Sequence, residues 1–374
     1  MQIGSCISHQ GKITKGSLIV GRLNNKKLEI PIIIAGGKKE GQTCFISAGM
    51  HGDEINSIET INQFLNQLNI NDVKGTIILL PLINPWGFKQ RTRYIPFDNQ
   101  DLNRCFNKQG RSISYEIAKT ILKEVVSKCS YGIDLHDGNK NILLPHPRIL
   151  KEDNSLLREM SYALGTDIIL EREGSEGMMA IESYRLFKVP VLTFELGGAS
   201  IIRDDFINQG VRGIKNVLVY NDNLKGILEL PIRQFFLQDR EGYLAQIPGI
   251  LHIEVELGEA VKKGEVIAII HDPIANQKSI IKAKYPGIVF SLRKDAFINK
   301  DETILSVLHF RVQESTHQLI PIQASMLINR QRLRKVITRP TIILDDMLSL
   351  LGFSYKLVGK TISFPFKKLE KYMK

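Results

Sequence analysis

Gln42-Thr-Cys-Phe-Ile-Ser-Ala-Gly-Met-His51-Gly-Asp-Glu54 opens as an apolar β run and closes on a turn of small residues that carries a histidine and an acid. From Glu54 to Leu68 the apolar spacing changes to that of an amphipathic helix, so the stretch reads strand, turn, helix. His51 and Glu54 are three apart, which lets imidazole and carboxylate converge on one point above the sheet edge. Both are good ligands for a borderline cation such as zinc. An exposed histidine beside a helix-capping acid is the alternative that this pattern alone leaves open.

Working outward, Ser17 to Arg22 and Leu28 to Ala35 flank Asn24-Asn25 as in a β-hairpin. Downstream, strands and helices alternate. Gly75 to Leu82, Tyr131 to Leu135 and Val189 to Phe194 read as strands, and Ser114 to Ser127, Ser155 to Leu164, Glu176 to Phe187 and Asp204 to Val219 as helices. That alternation predicts an α/β layered domain with a largely parallel sheet, whose ligand sites lie at the carboxyl ends of strands.

Two further strand ends carry chemistry. His136 follows Ile133-Asp-Leu135 and would face the same edge as His51, giving three protein ligands and an open fourth position, the pattern of a catalytic zinc. A satisfied loop histidine is the alternative. Glu195 leaves the apolar run Leu192-Thr-Phe194, where a carboxylate is costly without a polar task or partner. A general base and a salt bridge both meet that need. Between them lies a long polar stretch with Asn84-Pro-Trp-Gly-Phe88, Arg91-Thr-Arg93-Tyr94 and Asp101-Leu-Asn-Arg104. Two arginines beside a metal can grip a substrate carboxylate and a developing oxyanion separately, and ordinary surface pairs are the alternative.

Taken in order, these motifs resemble the succinylglutamate desuccinylase/aspartoacylase family, within the zinc carboxypeptidase superfamily, over about residues 40 to 220. The resemblance implies a zinc-carboxypeptidase-like α/β fold: a mixed, largely parallel sheet with helices on both faces, and a smaller β-rich C-terminal domain. It implies one zinc per chain on His51, Glu54 and His136, with Glu195 as the catalytic carboxylate. Arg93 would polarise the scissile carbonyl, Asn103 and Arg104 would bind the substrate carboxylate, and Asp101 would orient a zinc-bound histidine. The stretch from Arg93 to Arg104 exceeds the family's usual spacing, which keeps Arg91 as an alternative to Arg93.

Composition shifts near Asn221 to Lys225, where short β runs punctuated by glycine begin. Two halves repeat a Gly-Ile turn, a strand, another turn and a short apolar strand, starting at Gly249 and at Pro286-Gly287. This repeat resembles the biotinyl/lipoyl-type sandwich, but its hairpin, His271-Asp-Pro-Ile-Ala-Asn-Gln-Lys278, lacks the signature of a modified lysine. The expected domains are therefore an α/β hydrolase domain over residues 1–223 with its N-terminal hairpin, a barrel-sandwich-like domain over 224–312, and a basic extension over 313–374.

With 374 residues, 43% hydrophobic and 24% charged, the chain has the composition of an ordinary globular protein, and no stretch approaches the ~18 apolar residues of a membrane span. Of the net charge of +11, the part from Arg311 to Lys374 holds twelve Lys/Arg against four Asp/Glu, so the main body is nearly neutral and a nucleic-acid partner is not expected. Its Arg330-Gln-Arg-Leu-Arg-Lys335 cluster reads first as a solvated face. Cys6, Cys44, Cys105 and Cys129 show no metal-binding spacing and should stay thiols in a cytoplasmic protein without a secretory signal. The expected activity is a zinc-dependent hydrolase (deacylase) acting on an N-acyl amino acid. A zinc carboxypeptidase acting on short peptides and a non-catalytic ligand-binding protein are the alternatives. No membrane partner is expected, and a homo-oligomer stays open.

Overall fold

Asn24 and Asn25 take left-handed backbone angles (φ +47° and +62°), the conformation a two-residue hairpin turn requires. They join strands β1 (Lys12–Leu23) and β2 (Lys26–Gly36) in the expected hairpin. The computed structural model describes residues 1–150, 155–231, 234–237 and 240–309. The basic stretch from Arg311, with its Arg330–Lys335 cluster, lies outside the described residues.

The chain then alternates as its periodicity predicts. Strand β3 (Lys39–Ser47) leads into helix α1 (Ile55–Gln67), followed by β4 (Lys74–Leu80). The polar stretch beyond it contains a short helix, α2 (Pro85–Gln90), not expected from sequence. Asn84 is its cap, accepting the N–H of Gly87 at 2.8 Å, and Pro85 stands at the first helical position, where it lacks only a donor that would have been unpaired. After α3 (Ile113–Glu124) come β5 (Tyr131–Gly138), β6 (His146–Leu150), α4 (Ser155–Leu164), β7 (Ile168–Arg172), α5 (Met179–Phe187), β8 (Val191–Gly198), α6 (Asp204–Tyr220) and β9 (Phe235–Leu237).

These strands form one mixed sheet in the order β9-β7-β6-β8-β5-β3-β4-β2-β1. Its centre is parallel, with β8 on β5, β5 on β3 and β3 on β4, while β6 runs antiparallel to β8 and β2 antiparallel to β4. The carboxyl ends of β3, β5 and β8 therefore share one edge. Strands β5 and β8 are buried along their whole length, as their apolar runs require of central strands.

Helices cover both faces. Val191 of β8 lies in a core with Ile30, Ile32 and Ile34 of β2, Ile117 and Ile121 of α3 and Met179 of α5. Phe194 and Leu196 of the same strand point the other way, under α6, where a Cβ on Gly213 or Gly210 would press on them. Helices α1 and α4 pack with α6 on that side.

Among the described residues, a second unit takes the chain from Phe236 to His309, together with Asn139–Leu144. Among the described residues it contains a five-stranded and a four-stranded sheet around an apolar core that includes Leu251, Ile267, Ile270, Val289, Ile304 and Val307. The short strand Asn141–Leu143 belongs to this unit, pairing antiparallel with Gly287–Arg293 so that Ile142 faces Leu292. All four cysteines are buried and unpaired, and no helix among the described residues is long and apolar enough to cross a membrane.

Candidate active site

The turn after β3 is fixed by two glycines. Gly49 is left-handed (φ +62°), and a side chain on Gly52 would collide with the backbone of Gly87. His51 and Glu54 are thereby held at the sheet edge, with relative exposures of 2% and 1%, and His136 meets them from the end of β5 at 3%. One ligand atom from each of the three lies within 4.8 Å of the others.

The orientation of the rings is specific. His51 Nδ1 stands 2.5 Å from one oxygen of Glu54 and His136 Nδ1 2.9 Å from the other. Each Nε2 is held by an aspartate, His51 by Asp101 at 3.1 Å and His136 by Asp134 at 2.8 Å. Ser47 Oγ donates to the second oxygen of Asp134 at 2.7 Å. Two imidazoles anchored at the far nitrogen, with their near nitrogens turned on one carboxylate, match the donor chemistry of a borderline divalent cation such as zinc.

The charges agree with this arrangement. Burial opposes ionisation of Glu54, yet the two histidines hold its carboxyl well below the usual range. Burial likewise disfavours the charged imidazoles, and the carboxylates of Glu54, Asp101 and Asp134 outweigh it, raising His51 and His136 above their ordinary value. An imidazole made more basic in this way is a better ligand.

Asp101 joins two parts of the site. One of its oxygens meets His51, and the other accepts from Arg93 Nε and Nη2 at 3.2 and 2.9 Å. Arg93 also reaches Glu54, with Nη1 at 3.4 Å from Oε1. Arg91, the sequence alternative, is exposed and closes α2 in a left-handed conformation. Asn103 is buried, its Oδ1 accepting the N–H of Met179 at 2.9 Å and its Nδ2 facing His136 Nε2 at 3.4 Å. Arg104 is exposed and donates to the Asn103 carbonyl at 2.7 Å. Glu195 is the register partner of His136 on the neighbouring strand, buried at 5%, with its Oε1 3.1 Å from Arg148 Nη1.

Asp134 and Arg148 were not singled out from the sequence. Asp134 had a signal, since the strand period of two puts it on the same face as His136. Arg148 had none, because its partner Glu195 lies far along the chain.

Residues 40–221 match the family model of the Succinylglutamate desuccinylase/Aspartoacylase catalytic domain. Over these residues the chain belongs to this family. A curated relative, the N-alpha-acetyl-L-2,4-diaminobutyric acid deacetylase of Halomonas elongata, is 28% identical over 289 residues, covering 74% of this chain and 84% of its own. Among solved structures, a succinylglutamate desuccinylase from Silicibacter sp. TM1040 superposes with a TM-score of 0.71 at 21% identity, covering 83% of this chain and 100% of its own. The product-bound ectoine utilization protein EutE (DoeB) from Ruegeria pomeroyi gives 0.70 at 21% identity, covering 80% and 95%. At such identities the structural likeness to these family members establishes the fold.

Proposed function

We propose that the chain is a zinc-dependent hydrolase that cleaves the amide bond of an N-acyl amino acid or a similar small carboxylate. The observation that carries this reading is the His51–Glu54–His136 group with Glu195 in register beside it on the next strand. The deacetylase from Halomonas elongata supports the reaction class. His51, Glu54 and His136 hold the metal. Zinc, when bound, supplies a Lewis acid for the amide carbonyl and brings the pKa of a water toward neutrality.

Glu195 takes the proton that the attacking water loses as the C–O bond forms, and delivers it to the amide nitrogen as the C–N bond breaks, leaving a carboxylate and a free amine. Arg93, held by Asp101 beside the metal group, stabilises the charge that develops on the carbonyl oxygen. Arg104, with donors to spare at the surface, takes the substrate carboxylate, and Asn103 shapes the wall beside His136. Asp101 orients His51.

The two-sheet second unit is a biotinyl/lipoyl-like sandwich without a carrier lysine, and the basic extension has no part in catalysis. Four unpaired thiols suit a reducing, cytoplasmic setting.

Incubating the zinc-loaded protein with a panel of N-acyl amino acids and short peptides, and following free amine by mass spectrometry, tests the reaction. Release from at least one N-acyl amino acid, abolished by a chelator and restored by zinc, is the expected result. Release from peptides alone would make the protein a carboxypeptidase, and release from nothing would overturn the reading.

A further inference from the structure

Glu195 has a partner that the proposed reaction does not use. Arg148, on β6, reaches it with Nη1 at 3.1 Å from Oε1, the arginine side chain partly exposed and the glutamate buried. The register explains the contact. Strand β6 runs antiparallel to β8, with Arg148 opposite Thr193 and His146 opposite Glu195, so Arg148 stands one step along the same sheet face and reaches back. Strand β6 has neighbours on both sides, β8 and β7, which makes it a rigid base for the guanidinium.

The contact is one-sided. Arg148 holds one oxygen of Glu195, while Oε2 has no hydrogen-bond partner among the described residues and is not sealed from solvent. A carboxylate held at one oxygen and open at the other has a fixed direction and a free lone pair. That is the form a base needs if it is to meet a water and then an amide nitrogen without reorienting between them.

We propose that Arg148 is a positioning residue for Glu195, fixing the rotamer in which the second oxygen serves as proton acceptor and donor. The inference rests on Glu195 being the base of the deacylase proposed above. It predicts a defect in turnover rather than in substrate binding, because Arg148 acts through Glu195.

The test compares zinc-loaded wild type with Arg148→Met, Arg148→Lys, Glu195→Gln and the Met/Gln double variant, after zinc content has been measured in each. In Arg148→Met, kcat should fall roughly 10- to 100-fold with KM changed less than about 2-fold, since misplacing a reacting group by about 1 Å costs rate on that order. Arg148→Lys should recover part of the loss. Adding Arg148→Met to Glu195→Gln should cost nothing further. In thermal unfolding the two substitutions should be non-additive, as each removes the same contact.

An unchanged kcat in Arg148→Met, a defect confined to KM, additive melting shifts, or a further loss on top of Glu195→Gln would each overturn the assignment while leaving the reaction standing. Absence of turnover by wild type on the whole panel would instead overturn the reaction itself and this role with it.

Discussion

Asp137 accepts both the backbone N–H and the side-chain amide of Asn56, at 2.9 and 3.1 Å, and its other oxygen takes the N–H of Ser57 at 3.1 Å. The N-terminus of α1 is thus closed by an acid from β5. Its own cap residue, Glu54, makes no side-chain cap bond because both of its oxygens face histidines. One acid serves the helix and the other the histidine pair.

Replacing Asp137 by Ala should therefore act twice. Loss of the cap should lower stability by about 1–2 kcal/mol, read from urea unfolding. Because the freed helix end carries Glu54, metal affinity should fall with it, read by zinc titration against a competing chelator. A variant with full stability would show that water replaces the carboxylate.

His51→Ala and His136→Ala should each lose stoichiometric zinc in metal analysis of the purified protein. Asp134→Asn should keep the site but weaken it roughly 10- to 100-fold, since Asp134 anchors the far nitrogen of His136 and is itself held by Ser47. Stoichiometric zinc in either alanine variant would remove that histidine from the ligand set.

Glu195→Gln keeps shape and a hydrogen-bonding oxygen but cannot accept the proton. Turnover of a substrate found in the panel should fall by roughly 10² to 10⁴, with zinc content and melting behaviour close to wild type. Loss of zinc would make Glu195 a ligand, and near-full activity would place the base elsewhere.

Asp98 offers a pH signature away from the His51–Glu54–His136 group. Burial acts to raise its pKa, but hydrogen bonds from Ser112, and from the N–H and Oγ of Ser114 at 2.9 and 2.7 Å, outweigh it and leave it below its ordinary value. A carboxyl with a lowered folded-state pKa adds stability that is present above the unfolded value and is lost as pH falls through the folded one. The stability gap between wild type and Asp98→Ala should accordingly be full at neutral pH, about 1 kcal/mol as for other caps, and close in acid below the ordinary carboxylate range. A gap that persists there, in denaturant curves across pH, would assign it to packing.

The sheet and most helices were legible because β3, β5 and β8 are apolar runs and α1 and α6 keep a regular apolar face. His51, Glu54, His136 and Glu195 were legible as positions for the same reason, each standing just where such a run ends. What was hidden depends on distance along the chain. Strand β6 lies between β8 and β7, a pairing that Pro145-His-Pro147 does not advertise in any local period, and so Arg148 could not be matched to Glu195. Helix α2 is a single short turn system set by Asn84 and Pro85, below the length at which periodicity speaks.

The strand Asn141–Leu143 begins three residues after Gly138 and five after His136, yet its hydrogen bonds belong to the second unit. Among the described residues that unit is therefore assembled from two separated pieces of chain and cannot be exchanged or deleted as one cassette. A chain ending at Phe235 would leave Asn141–Leu143 as a bare pairing edge, open to other β-strands. A chimera that swaps the second unit between relatives needs two splice points, one at each end of Asn139–Leu144, besides the junction at Phe236. Divergence of the two units is likewise tied, since any drift in Gly287–Arg293 must keep a partner that is encoded between two strands of the first unit.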